Sequence, residues 1–156
     1  MSRQEIIQIL TGTLGSLGFS VLFNIRGTKL LIAALGGTLS WSVYLLLSHW
    51  LPSDGTCYFL SAAIITVYAE VFARVVKTPT TTFLVPAIVP GIPGGALYYA
   101  MHHALNKQWD LFSQKALTAL QIALALAMGI IVVTTMTRLL IALLRRARCL
   151  SVDSHH

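Results

Sequence analysis

The sequence predicts an all-α integral membrane protein with about five transmembrane helices, the fourth of which is broken by proline and glycine. Composition is the first observation: 56% of the 156 residues are hydrophobic and 10% are charged, whereas soluble domains average about 25% charged residues. The mean hydropathy of +0.76 is the second. The apolar stretches are also long and do not alternate with polar residues, which favours helices over barrel strands as the membrane-spanning elements.

Five apolar stretches have about the 20 residues that a helix needs to cross a hydrocarbon core of about 30 Å. We expect the spans at residues 6–23, 30–47, 57–76, 83–101 and 116–144. They form one transmembrane domain over 1–149, followed by a cytoplasmic tail at 150–156. The first stretch has no Ala-x-Ala-like cleavage site, so we expect a retained span rather than a removed signal peptide. The closing Ser154-His155-His156 could be the remnant of an engineered tag.

The cationic residues favour one side of the membrane. Seven of the eleven lysines and arginines fall on that side in this topology: Arg26, Lys29, Arg74, Lys77, Arg145, Arg146 and Arg148. By the positive-inside rule, this asymmetry predicts an outside N-terminus and a cytoplasmic C-terminus. Trp50 and Trp109 lie in the opposite connections, as interfacial anchors do. Topology thus explains the net charge of +6, and we expect lipid rather than nucleic acid around the chain.

The sequence gives no support to an enzyme or a metal centre. In this topology Cys57 and Cys149 lie on opposite sides of the membrane and cannot form a disulfide. The adjacent His102 and His103 diverge around a helix, which suits two ligands of one metal poorly. No nucleophile, base and orienting acid can be assembled from the spans. We therefore expect no enzymatic activity, no metal and no cofactor.

The strongest functional signal is the fourth span, which holds four of the five prolines within 79–93. Each proline removes a helical donor and clashes with the carbonyl four residues earlier, so Pro86, Pro90 and Pro93 cannot share one regular helix. The break should lie near mid-bilayer, where irregular backbone is tolerated only against protein or a water-filled cavity. A half-helix that starts near Gly94 would point free N–H groups at an anionic substrate group, such as a carboxylate.

The predicted substrate-binding residues follow from this break and from its cytoplasmic flank. They are Pro90, Gly91, Pro93, Gly94, Gly95, Asn24 and Thr81. The last two belong to a polar vestibule in which Thr78, Thr80, Thr81 and Thr82 lie near Asn24, Arg26 and Lys29. Two plainer interpretations stay open: a kinked helix satisfied by its neighbours, and a cluster of threonines that caps a helix N-terminus.

Glu70 is the only acidic residue inside any predicted span. An intramembrane carboxylate is a functional candidate by default and usually faces the bundle interior. Arg74 is its natural partner, because it follows four residues later in the favoured acid-first order. We expect this pair either to couple or gate transport, or to serve as a structural ion pair.

Small residues recur in the first two spans, at Gly12, Gly15 and Gly18 and at Gly36 and Gly37. Glycines at such positions let membrane helices approach closely. We therefore expect them to pack helices rather than to bind substrate.

Two segments resemble the bacterial threonine/serine exporter family. They are Gly18-Phe19-Ser20-Val21-Leu22-Phe23-Asn24 before a basic turn, and Phe83-x-x-Pro86-x-x-x-Pro90-Gly91-x-Pro93-Gly94-Gly95-x-Leu97-Tyr98. The chain is most similar to the small subunit, which corresponds to the C-terminal membrane domain of the fused exporters. The resemblance covers about positions 10–140, and its Pro-Gly-x-Pro-Gly element is the specific part. Pro90, Pro93 and Gly94 match the family signature, and Asn24 matches its first-turn asparagine.

This resemblance implies a secondary transporter in the bacterial cytoplasmic (inner) membrane. Some members export threonine and serine, and others export a C4 dicarboxylate such as succinate, driven by an ion gradient. The resemblance also implies a larger partner subunit of the same family. Two other functions remain open from the sequence: a non-transporting scaffold subunit of a larger membrane complex, and a homo-oligomeric pore.

Overall fold

The computed structural model describes residues 3–153, with side chains described for 3–143. Six α-helices and one 3-10 turn make up the described chain, and no strand occurs in residues 3–153. The helices are α1 (Arg3–Leu22), α2 (Thr28–Ser48), α3 (Asp54–Val75), α4 (Thr81–Ile88), α5 (Gly94–Leu105) and α6 (Trp109–Asp153), and the 3-10 turn is Val89–Gly91. The all-α prediction is confirmed.

Four of these helices are long and apolar enough to cross a membrane: α1, α2, α3 and the Trp109–Leu143 part of α6. A fifth candidate is the pair Thr81–Gly91 and Gly94–Leu105, whose two parts are bent by 52° at a short break. The helical membrane protein and its broken fourth span are therefore as predicted from the sequence.

Helix α6 is much longer than the predicted span, because it begins at Trp109 rather than near residue 116 and continues to Asp153 rather than ending near residue 144. Its 45 residues reach about 68 Å at 1.5 Å per residue, more than twice the thickness of the hydrocarbon core. The polar residues just before residue 116 lie outside the apolar stretch, but they are still helical. Asp110 in the first turn interacts favourably with the helix dipole. Helix α6 therefore extends beyond the bilayer.

Three helices end in the same way, with a non-glycine residue in the left-handed conformation. These residues are Asn24 after α1, Lys77 after α3 and Lys107 after α5, with φ of 57°, 51° and 58°. The next residue in each case donates its N–H to a carbonyl five residues earlier, as Ile25 does to Ser20 at 3.0 Å. This closure satisfies carbonyls that the last turn leaves free and lets the chain reverse in a short loop.

Helices α2 and α3 lie at the centre of the bundle. Helix α2 contacts α1, α3 and α4, and α3 contacts α2, α4 and α6, while α5 packs against α6. Hydroxyl groups tie α2 to both of its long neighbours: the Thr13 hydroxyl of α1 lies 2.8 Å from that of Thr38, and Ser61 Oγ of α3 donates to the Ser40 carbonyl at 2.7 Å. Hydrogen bonds of this kind join helices in membranes, where apolar side chains provide no hydrophobic driving force.

Glycine allows the closest contacts of the bundle. A Cβ on Gly36 would lie 2.8 Å from Ala87 Cβ, and one on Gly37 would overlap the Ser16 side chain. A Cβ on Gly129, which the sequence did not single out, would lie 2.6 Å from the Phe59 carbonyl oxygen. The packing prediction thus holds for the α2 glycines. It is wrong within this chain for Gly15 and Gly18, which have no atom within 4 Å of such a Cβ, because they lie on the open side of α1.

Candidate functional site

The break in the fourth span follows from its prolines. Pro86 lies inside α4, Pro90 lies in the 3-10 turn, and Pro93 is the residue before α5. Because none of these residues has an N–H group, the chain closes tighter bonds across the break. Ile92 N donates to the Val89 carbonyl at 3.1 Å, and Gly94 N donates to the Ile92 carbonyl at 2.7 Å.

The first turn of α5 is open to its surroundings. Gly94 and Gly95 are both exposed, and a Cβ on either would meet no atom within 4 Å. Leu97 N donates to the Pro93 carbonyl at 3.0 Å and Gly94 N to the Ile92 carbonyl, but the N–H groups of Gly95 and Ala96 between them belong to the first helical turn and have no intrahelical acceptor. The start of α5 is thus accessible to a hydrogen-bond acceptor.

A cavity of about 270 Å³ lies beside the break, which we call the α1 groove. Its seven lining residues are uncharged: Gln8, Thr11, Gly12, Gly15, Trp41, Val89 and Pro90. Gly12 allows α1 to approach the 3-10 turn, because a Cβ there would lie 3.4 Å from Pro90 Cβ. The missing side chain of Gly15 keeps the same wall of the groove open.

Trp41, which lines this groove, carries an unusual group. Its Nε1 atom is buried and has no hydrogen-bond partner among the described side chains and backbone of the chain. Leaving such a donor unsatisfied costs about 1–3 kcal/mol. Aromatic contacts hold the ring in place, since the ring centroids of Trp41 and Tyr44 lie 4.9 Å apart and those of Tyr44 and Tyr58 lie 4.4 Å apart, with the rings tilted by about 30°.

A second cavity, the α4 cavity, lies at the other end of α1 and has a volume of about 260 Å³. It is lined by Phe23, Ile25, Thr81, Thr82, Val85 and Pro86. Thr81 therefore lies in a cavity that does not include Pro90. The N-cap position of α4 is Thr80, and its side chain makes no capping hydrogen bond. The capping alternative for the threonines therefore receives no support at this position.

Asn24 has a clear structural role. It occupies the left-handed position after α1, which asparagine tolerates better than most residues. Its Oδ1 accepts a hydrogen bond from Arg26 Nε at 2.9 Å. The side chain is exposed at the end of the molecule where Phe23 and Ile25 line the α4 cavity.

Glu70 and Arg74 form an ion pair within α3. Arg74 donates to Glu70 Oε2 at 2.6 Å and to the Glu70 carbonyl at 2.8 Å. The Glu70 side chain is 12% exposed and that of Arg74 is 46% exposed. Neither residue lines the α1 groove or the α4 cavity, so the pair belongs to neither of them.

The structure thus distributes the predicted site residues over several places. Pro90 lines the α1 groove, Thr81 lines the α4 cavity, and Gly94 and Gly95 begin the open α5. Gly91 is buried, and a Cβ on it would lie 3.5 Å from Leu126 of α6. Pro93 is half-buried and precedes α5.

Sequence reasoning missed Gln8, Thr11 and Trp41. Two signals were present. Gln8, Thr11 and Gly15 are three and four residues apart, so they share one face of a helix. Trp41 lies well inside a span, whereas membrane tryptophans concentrate at the interfaces.

Comparison with known proteins gives one match. Residues 8–136, more than four fifths of the chain, match a family model described as "Threonine/Serine exporter, ThrE". No curated protein and no solved structure matches the chain.

Proposed function

The chain belongs to the threonine/serine exporter family, and on that premise we propose that it is a subunit of a secondary transporter for small hydroxylated amino acids. It works in the bacterial cytoplasmic membrane, with its N-terminus outside and its C-terminus in the cytoplasm. Lys and Arg in the α1–α2 and α3–α4 connections support this orientation. The cations also attract the substrate carboxylate to the cytoplasmic side.

One observation carries the proposal: the fourth span is broken beside an uncharged groove that includes the polar side chains of Gln8, Thr11 and Trp41. Transporters commonly place substrate at a discontinuous helix, where the N-terminus of a half-helix receives an anionic group. Here the open turn at Gly94 and Gly95 follows Pro90 of the groove by four residues. The carboxylate binds at the start of α5, and the rest of the substrate occupies the α1 groove.

The groove lining favours threonine or serine over a C4 dicarboxylate. All seven lining residues are uncharged. A second carboxylate in the groove would lack a cationic partner and would be costly to bury. A hydroxyl group, by contrast, finds polar partners on Gln8, Thr11 and Trp41.

A larger subunit of the same family covers the open side of this site. Gly15 and Gly18 of α1 and Gly94 and Gly95 of α5 have no atom within 4 Å of an added Cβ. Irregular backbone at membrane depth is tolerated against protein or in a water-filled cavity, but not against lipid. The partner therefore completes the cavity, and movement between the two subunits alternates access to the two sides.

The test is transport by vesicles that contain the complex co-purified with this chain from its native membrane. We expect saturable, gradient-dependent flux of labelled threonine and serine, with little flux of succinate. The protein composition of the same sample reports whether a second subunit is present. Absence of flux for all three solutes under either gradient would leave a scaffold role. Succinate flux alone would refute the assignment of the groove to hydroxylated amino acids.

A further inference from the structure

We propose that Trp41 and Thr11 together recognise the side-chain hydroxyl of the substrate in the α1 groove. This inference rests on the proposed function and deepens it. It assigns a donor and an acceptor to one group of the substrate, and it explains how a transporter distinguishes threonine from an apolar amino acid of similar shape.

The donor is the indole N–H of Trp41. The residue lines the groove, and its Nε1 atom is buried without a partner among the described residues. Indole can donate but cannot accept, so its partner must be an acceptor such as an oxygen. The tilted ring contacts of Trp41 with Tyr44, and of Tyr44 with Tyr58, restrain the ring. A restrained donor keeps its direction before the substrate arrives, which reduces the entropy lost on binding.

The acceptor is the hydroxyl oxygen of Thr11. Its proton is already used within α1, because Oγ1 lies 2.9 Å from the Ile7 carbonyl and 3.0 Å from the Gln8 carbonyl. The oxygen lone pairs therefore remain for a donor in the groove. A substrate hydroxyl both accepts and donates, so it can accept from Trp41 and donate to Thr11 at the same time.

Trp41 lies near the middle of α2, where an interfacial anchor would not be found. It lies three residues from the midpoint of α2, which is about 5 Å along the helix axis at 1.5 Å per residue. Trp50, by contrast, lies in the α2–α3 connection and is 81% exposed. Tryptophans that anchor a protein at the membrane interface lie near the ends of spans, as Trp50 does. Trp41 lies inside a span and does not fit that role.

The experiment compares threonine with 2-aminobutyrate, which is threonine without its hydroxyl group, in vesicles that contain the native complex. For the unchanged chain we expect Vmax/KM to be higher for threonine. Trp41→Phe keeps an aromatic ring but removes the N–H. We expect it to lower Vmax/KM for threonine about tenfold, the effect of one hydrogen bond, and to change 2-aminobutyrate less than about twofold. Thr11→Val should give the same selective loss.

Trp50→Phe is the matched control and should leave the ratio between the two solutes unchanged. Chain levels in the membrane, measured by immunoblot, correct for any loss of folded protein. Equal losses for both solutes in Trp41→Phe and Thr11→Val, or no loss in either, would overturn the inference and leave the proposed transport intact. Equal transport of the two solutes by the unchanged chain would also overturn it. Absence of flux for every solute would instead refute the proposed function.

Discussion

The two sides of this bundle use glycine for opposite purposes. Between α3 and α6, Gly129 leaves no room, because an added Cβ would lie 2.6 Å from the Phe59 carbonyl oxygen and 2.9 Å from Ala62 Cβ. On the open surfaces of α1 and α5, which we call the open side, Gly15 and Gly94 have no neighbour within 4 Å of such a Cβ. The packed side needs glycine to bring two helices together, whereas we propose that the open side keeps glycine for substrate and partner.

The largest effect should come from the packed side. Gly129→Val inserts a branched side chain against the α3 backbone, and overpacking of this kind costs about 1–3 kcal/mol or more. We expect a much lower thermal midpoint of the detergent-solubilised chain, measured by size-exclusion chromatography after heating. Gly18→Val is the matched control on the open side and should keep the midpoint of the unchanged chain. Equal midpoints for the two variants would contradict the comparison.

On the open side, substitution should affect transport and not folding. Gly94→Val places a side chain at the first turn of α5, where space is open within the chain but where we propose that the substrate carboxylate binds. We expect normal chain levels with threonine export reduced at least about tenfold, as for the loss of one strong charge-assisted hydrogen bond. Gly55→Val, at another open glycine, is the control. Normal export by Gly94→Val would end the proposal for this site.

Glu70 tests whether the separate ion pair takes part in coupling. If Glu70 is the coupling acid, Glu70→Gln should remove the dependence of threonine export on the proton gradient, because the amide cannot bind and release a proton. Arg74→Gln keeps the carboxylate and should keep this dependence. The assay is export at a series of imposed pH differences. Unchanged gradient dependence in Glu70→Gln would assign the pair a structural role within α3.

A small gain in stability is expected at Lys107, which lies outside both sides of the comparison. This residue holds φ of 58° after α5, a conformation that costs side-chain-bearing residues about 1 kcal/mol relative to glycine. Lys107→Gly should therefore raise the thermal midpoint slightly. Lys115→Gly, within α6, should lower it, since glycine inside a helix costs about 1 kcal/mol. A lower midpoint for Lys107→Gly would show that the left-handed residue is not strained.

The broken span was predictable because its cause is local. Pro86, Pro90 and Pro93 remove helical donors wherever the chain lies, and Gly94 begins the next helix as expected. The α1 groove was not predictable, because it depends on how α1 packs against α2 and the 3-10 turn. Whether the Trp41 N–H finds an acceptor depends on the same packing. The start of α6 was missed for a different reason: hydropathy marks where a span ends, but a helix continues until a residue or turn stops it.

The glycines show the same limit. The spacing of Gly12, Gly15 and Gly18 indicates a small-residue face on α1 but does not say what covers it. A Cβ on Gly12 would contact Pro90, whereas one on Gly15 or Gly18 would meet no atom within 4 Å. Gly129 stands alone in α6, so no repeated spacing in the sequence marked it as a packing residue.

The most direct test of the central claim is thiol labelling in the α1 groove, with Cys57 and Cys149 first replaced by alanine. Gly15→Cys lines the groove, while Gly18→Cys lies one turn away on the same open helix and outside the groove lining. We expect a water-soluble thiol reagent to modify Gly15→Cys in native membranes, and threonine to slow this reaction while leaving Gly18→Cys unaffected. An unreactive Gly15→Cys, or a reaction rate that threonine does not change, would contradict a substrate path through the groove.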